Sequence, residues 1–119
     1  MNTKEIMYLT NPLRKLVSKL GDKWTLLILY QLSHTQGMRF VEFKSEMIDI
    51  SEKELSKKLK VLVDDGLVEK QVVYSFPMSI SYSITQRGQD LMIIIEQLID
   101  WAIKNFHKDD IWVDARGHS

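Results

Sequence analysis

Between Ser51 and Gly66 the sequence marks one helix at both ends, and this stretch constrains the rest of the chain most. Ser51 and Glu54 stand in S-x-x-E capping-box spacing, in which the serine oxygen and the glutamate each take a free amide of the first turn. Leu55, Leu59, Leu62 and Val63 then recur on one side with helical period. Asp64-Asp65-Gly66 ends the run, glycine suiting the left-handed residue beyond a helix. Such a helix has one apolar stripe and needs one surface to bury it.

The flanking sequence supplies that surface. Asn11-Pro12 reads as an N-cap followed by proline at the first helical position, with Leu13, Leu16, Val17 and Leu20 in helical period and Gly21 as a left-handed stop. Asp22 caps the next helix, "KWTLLILYQL", which is apolar on nearly every side and so predicts a buried element. "MRF" suggests a short strand, and "VEFKSEMI" a short helix with Phe43 and Met47 inward. After Gly66, "LVEKQVV" and "SISYSI" alternate as two strands. Pro77 in the link "YSFPM" argues against a two-residue turn. Thr85 caps a last helix, "QRGQDLMIIIEQLIDWAIKNF". Residues 107–119 form a tail that is polar apart from Ile111, Trp112 and Val113. Nothing marks a linker or repeat, so 1–119 reads as a single domain.

The predicted fold is therefore mainly α with a small antiparallel β-ribbon (α+β). Short helices followed by a two-stranded ribbon are the order of a winged helix-turn-helix, in which the last helix before the ribbon enters the major groove of DNA. The Ser51 helix occupies that place. With Leu55 at 0° and about 100° per residue, Lys53, Lys57 and Lys60 fall near 160°, 200° and 140°, opposite the leucines. Lys53 and Lys57 repel each other at i,i+4, and Lys53 opposes the helix dipole. A helix selected for stability alone would mix signs on that face. Glu54 lies to the side, where it can pair with Lys58. A solvated face is the bland alternative; DNA contact gives the row a purpose. Ser51, Glu52, Lys53, Ser56 and Lys57 lie toward the end that reaches base edges, where glutamate suits cytosine N4 and lysine suits guanine.

Charge fits a one-faced DNA binder. The net charge is zero. Residues 1–60 hold 11 Lys and Arg against 7 Asp and Glu, and residues 61–119 hold 5 against 9, so +4 and −4. One basic face with an acidic remainder is compatible with nucleic acid. The chain has no cysteine, which removes disulfides and thiol catalysis and suits a reducing cytoplasm. No apolar run is long enough for a membrane, and the N-terminus lacks a signal-peptide core.

Taken together, "LGDKWTLLIL", "RFVEF", "IS..EL...LK.L.DDGLVEK", "YSIT.RG" and the closing "L..W" resemble the HxlR-type regulators, a branch near the MarR group. The likeness runs from about residue 11 to residue 106. It implies a dimeric bacterial or archaeal winged-helix transcription factor with N- and C-terminal dimerisation helices, bound to a near-palindromic site on double-stranded DNA. It implies that Lys23 and Arg39 contact the DNA backbone and that Trp24 and Phe40 lie in the core. It further implies that Ser51, Glu52, Lys53, Ser56, Lys57 and Lys60 form the recognition helix, and that Tyr74 to Ser79 is the wing, with Ser75 and Ser79 toward DNA. Three positions depart from the family pattern. Asn11-Pro12 stands where Cys-Pro is common, which removes cysteine-based redox sensing and leaves a small-molecule effector, or regulation by abundance without an effector, with the effector ranked first. Ser79 stands where the wing usually carries arginine, so Phe76 or Met78 is expected to pack on sugar or on a partner. Val41 stands where a capping serine usually begins the short helix, so that end is expected to be less well fixed.

A homodimer follows from the last helix without the family. Leu91, Ile95, Leu98 and Ala102 make a stripe sufficient to cover a small domain. Met92, Ile94, Ile99, Trp101, Ile103 and Phe106 spread over the remainder, an excess that calls for a second subunit. Ile6, Met7 and Leu9 are expected to join the same interface, together with Ile95 and Leu98. Enzyme chemistry finds no support. His34, His107 and His118 lack metal-ligand spacing, no glycine-rich phosphate loop exists, and Asp64-Asp65 reads as a helix end. No cofactor is expected. The competing reading is a winged-helix module that binds protein with its lysine face in solvent.

Overall fold

The structure, a computed structural model, describes residues 1–111, with side chains described through residue 109. Trp112, Val113 and His118 lie outside the described residues, as does the Ile111 side chain. The elements run α1 (Thr3–Leu20), α2 (Thr25–Ser33), β1 (Met38–Arg39), α3 (Phe40–Glu46), α4 (Glu52–Asp64), β2 (Val68–Val73), β3 (Ser79–Ile84), α5 (Gln86–Asn105) and α6 (Lys108–Ile111). This is a winged helix-turn-helix: α3 and α4 form the helix-turn-helix, and β2 and β3 form the wing.

The core is built by α2, α3, α4, the sheet and α5. Ile28, Leu29 and Leu32 of α2, Phe43 of α3, and Leu55, Leu59 and Leu62 of α4 are almost fully buried, with Ile50 in the turn between α3 and α4. At about 25 cal/mol per Å², each such side chain contributes roughly 1.5–3 kcal/mol. The turn is held by the amide of Ile50, which donates to the Met47 carbonyl, and by the Lys44 amine, which donates to the Ile50 carbonyl. The end of α4 is a Schellman motif: the Leu67 amide donates to the Leu62 carbonyl and the Gly66 amide to that of Val63, with Gly66 at φ 76°.

Several expectations change. The ribbon gains a third strand, because β1 pairs antiparallel with β3 through Met38–Tyr82 and Arg39–Ser81, giving the order β1-β3-β2. Helix α1 begins at Thr3, not at Pro12. Asn2 caps it by accepting the Glu5 amide, while Glu5 accepts the Asn2 amide, so Pro12 lies inside the helix. Gly21 is not left-handed: it sits at φ −83°, and its amide donates to Val17. Helix α2 is buried on one side only, since Leu27 and Tyr30 are exposed. Trp24 and Phe40 are half-buried against the core instead of within it.

On α5 the inward row is Met92 and Ile95, with Ile99 partly buried behind them. Leu98, expected to face the core, is exposed. Met92, Ile95 and Ile99 therefore belong to the chain's own interior and leave the dimerisation set. The reason is the cap: Thr85 accepts the Gly88 amide and donates to the Gly66 carbonyl, and this docks buried Gly88 against the end of α4 and fixes which side of α5 turns inward.

Candidate nucleic-acid interface

Helix α4 is presented by its caps and its stripe. Ser51 accepts the Glu54 amide at 3.0 Å. The reciprocal half of the capping box does not form, so Glu54 is free of the cap. Leu55, Leu59 and Leu62 turn inward, which leaves Ser51, Glu52, Lys53, Ser56, Lys57 and Lys60 exposed on the opposite side. Among the described residues Lys53 and Lys57 have no ion-pair partner. Lys60 is 2.9 Å from Asp64, four residues on, with both side chains in solvent. A pair that exposed contributes about 0.3–0.5 kcal/mol and yields readily to a phosphate.

The expected Glu54–Lys58 pair is absent. Lys58 instead reaches out of α4 to Asp22, 3.2 Å away at the start of α2. Asp22 is the side-chain cap of α2, accepting the amides of Trp24 and Thr25 and the Thr25 hydroxyl. Burial alone would raise its carboxyl. The Thr25 hydroxyl, the Trp24 amide and Lys58 outweigh that and hold it down at about 2. The signal available in sequence was Asp22-x-x-Thr25 before an apolar run; its partner, 36 positions on, carried none.

The remaining predicted contacts flank α4. Lys23 is exposed, 3.2 Å from Asp49, and rests on the Trp24 ring at 4.6 Å. Arg39 is exposed and begins α3. Its amide donates to Glu42, so this helix start is fixed from Glu42 without the serine that Val41 replaces. Ser75 lies in the wing link 74–78, and Ser79 opens β3. The link has no cation, and Phe76 at its tip is fully exposed, with Tyr74 and Met78 exposed beside it.

Sequence reading expected Ile6, Met7 and Leu9 at an interface but missed how far that surface runs along α1, and its part on α2. Ile6, Leu9, Leu13 and Val17 recur three or four residues apart on α1 and are all about half exposed. Of the eighteen residues of α1 only Leu20 is buried. Ile94, Leu98, Trp101, Ile103 and Phe106 of α5 and its cap are likewise exposed, Trp101 and Phe106 packing edge to face. Between α2 and α5 an apolar groove of about 390 Å³ is lined by Leu26, Leu27, Tyr30, Leu98 and Ala102 among others. Among the described residues no group of three His, Asp or Glu is placed to hold a metal, and no helix is long and apolar enough to cross a membrane.

Comparison with known proteins gives a consistent picture. A family model described as HxlR-like helix-turn-helix matches residues 19–110. An uncharacterized HTH-type transcriptional regulator of Halalkalibacterium halodurans is 38% identical over 89 residues, covering 75% of this chain and 79% of that protein. The HTH-type transcriptional regulator YodB of Bacillus subtilis is 33% identical over 85 residues, covering 71% and 75%. The reduced form of YodB superposes with a TM-score of 0.71 over 77% of this chain and 89% of that one. The oxidized form of the redox regulator HypR superposes at 0.72 with 28% identity, over 81% and 98%.

Proposed function

The chain belongs to the HxlR-like helix-turn-helix family and carries a transcriptional regulator's DNA-binding helix-turn-helix; from that premise we propose that two copies pair through α1 and α5 and bind a near-palindromic operator with their α4 helices. The observation that carries the reading is the outward face of α4, where Lys53 and Lys57 stand exposed and unpaired among the described residues while every leucine of the helix is inward. Ser56 and Lys57 would meet base edges, and Lys53, Lys60, Lys23 and Arg39 would meet phosphate. The exposed pairs in which Lys60 donates to Asp64 and Lys23 to Asp49 are weak enough to be exchanged for phosphate.

Pairing is supported by α1. Helical stability in proteins comes mostly from packing of an amphipathic face and little from propensity, and Pro12 inside α1 costs about 3 kcal/mol. Its contacts within the chain bury one residue. A second copy laid on Ile6, Leu9, Leu13 and Val17, and on Leu98, Trp101 and Phe106, would stabilise it. Met7 would lie at the rim of that interface.

The signal would not be a cysteine thiol, since the chain has none and Asn11 stands inside α1. A small apolar effector is the alternative, and the groove between α2 and α5 is of ligand size. A second reading, a protein-binding module, is favoured by one observation, the fully exposed Phe76 on a wing tip without cations. Binding to duplexes selected from a random library separates the two. Enrichment of a two-fold symmetric sequence, lost in Lys57→Ala, supports the regulator. No enrichment, with Phe76→Ala abolishing capture of a protein partner, supports the module.

A further inference from the structure

The leucines of α4 interlock with the core and set its general orientation, but apolar contact is itself non-directional, so polar ties at its flanks refine its roll. A roll of about 20° carries a side-chain tip at the outer radius of a helix by about 2 Å. That is enough to break a hydrogen bond to a base edge. Base reading by α4 is therefore sensitive to the polar restraints that join it to neighbouring elements, one of which is Lys19 on Asp65 at its C-terminal end.

Lys58 supplies another. It is the one lysine of α4 that, among the described residues, is tied to another helix. Its partner does not depend on it for position. The Asp22 carboxylate is already held by the Trp24 amide at 3.1 Å, the Thr25 amide at 3.2 Å and the hydroxyl of Thr25, which is itself buried. Lys58 then adds its amine at 3.2 Å, with only 22% of its side chain and 30% of that of Asp22 exposed. The stem of Lys58 lies about 100° around the helix from Lys57, so it points along the flank and not outward. A cleft of about 430 Å³ beside the pair is lined by Lys15, Lys19, Lys57 and Lys58, so the competing role for Lys58 is contact with a phosphate there.

We propose that Asp22 and Lys58 are positioning residues: their pair sets the roll of α4 against the start of α2, so that Ser56 and Lys57 meet base edges, while neither Asp22 nor Lys58 touches DNA. The proposal rests on α4 being the base-reading helix. Its consequences differ from those of a lost contact. Removing the pair degrades discrimination between sequences, leaves the number of neutralised phosphates unchanged, and turns α4 in the free protein.

The test uses the full chain with Lys58→Met, Asp22→Ser, their double variant, and Lys58→Arg. Serine keeps an N-cap oxygen for α2, which guards against mere unfolding. Residual dipolar couplings of the free protein, which vary periodically along a helix with its rotation about its own axis, report the roll of α4 relative to α2. Anisotropy titrations with the selected duplex and a scrambled one report discrimination and salt slope. In both single variants α4 should turn relative to α2, and the ratio of specific to scrambled affinity should fall about tenfold, the equivalent of one base contact. The salt slope should stay at the unsubstituted value, the double variant should be no worse than the singles, and Lys58→Arg should restore the ratio. An unchanged roll overturns the proposal. So does an equal loss on both duplexes with a slope reduced by about 1, the mark of a lost phosphate contact. If the unsubstituted protein discriminates between no sequences, the reading of α4 fails, and the couplings still decide whether the pair sets its roll.

Discussion

Replacing Gly88 by alanine should destabilise the domain although it improves a helix. Gly88 lies in the first turn of α5, buried where that turn crosses the end of α4. The Thr85 amide donates to the Leu67 carbonyl at 3.1 Å, and the Thr85 hydroxyl donates to the Gly66 carbonyl at 2.7 Å. A Cβ on Gly88 would lie inside van der Waals contact of that Leu67 oxygen and 2.6 Å from Cγ1 of Ile84. Neither neighbour is a flexible tip: one is backbone, the other a β-branched residue in β3. Helix propensity alone favours alanine by about 1 kcal/mol. Overpacking costs about 1–3 kcal/mol, and displacing α5 puts the Thr85 hydrogen bonds at risk at about 1 kcal/mol each. The balance is a loss of about 1–3 kcal/mol, a fall in Tm of roughly 4–12 °C for a domain of this size. Circular dichroism melts at matched protein concentration measure it, since the proposed pairing would make Tm concentration-dependent. A Tm equal to or above that of the unsubstituted protein would mean that propensity outweighs the contact and that α5 does not dock as closely as described.

Further outcomes follow from the proposed interface. Lys57→Ala should cost about 1–3 kcal/mol per subunit on the selected sequence, whereas Lys60→Ala should weaken all sequences alike and flatten the salt slope by about 1. Both are read in anisotropy titrations. Lys58 is unsuitable as a neutral control, because Asp22 ties it to the start of α2. Trp101→Ala should weaken the proposed dimer by about 2 kcal/mol, roughly 30-fold in dissociation constant, as loss of a central interface aromatic does, seen by sedimentation as a shift toward the 14.0 kDa chain mass. The carboxyl of Asp22 is depressed from 3.8 to about 2, so its stabilisation is complete above pH 3.8 and is lost as pH falls toward 2. In urea titrations at pH 5 and pH 2.5, Asp22→Ser should lose that part of the acid dependence. Diamide should leave DNA affinity unchanged, because no thiol exists to oxidise.

What was legible in the sequence was local. Helix α4 could be bounded because its cap, its stripe and its glycine stop lie within sixteen positions, and each acts on its neighbours. The wing strands showed by alternation, and Thr85 by its place before an apolar run. The start of α1 was misplaced because proline at a first turn is a stronger prior than Asn2 with Glu5, although the latter is also a capping pair. Strand β1 showed as the short "MRF" run, but its pairing with β3 joins distant positions and did not. The inward face of α5 was ambiguous because apolar residues nearly encircle it; only docking at Gly88 chooses Met92 over Leu98. The Asp22–Lys58 pair joins two helices, and no periodicity reports a contact between distant positions.

The central claim is that a pair of α4 helices reads DNA. Hydroxyl-radical footprinting on the duplex enriched from a random library tests it most directly. Two symmetric protected half-sites should appear, centred about 34 Å or one helical turn apart. In Lys57→Ala the protection should collapse toward the level seen on scrambled DNA. A single protected site, or protection that ignores sequence and survives Lys57→Ala unchanged, would contradict the account.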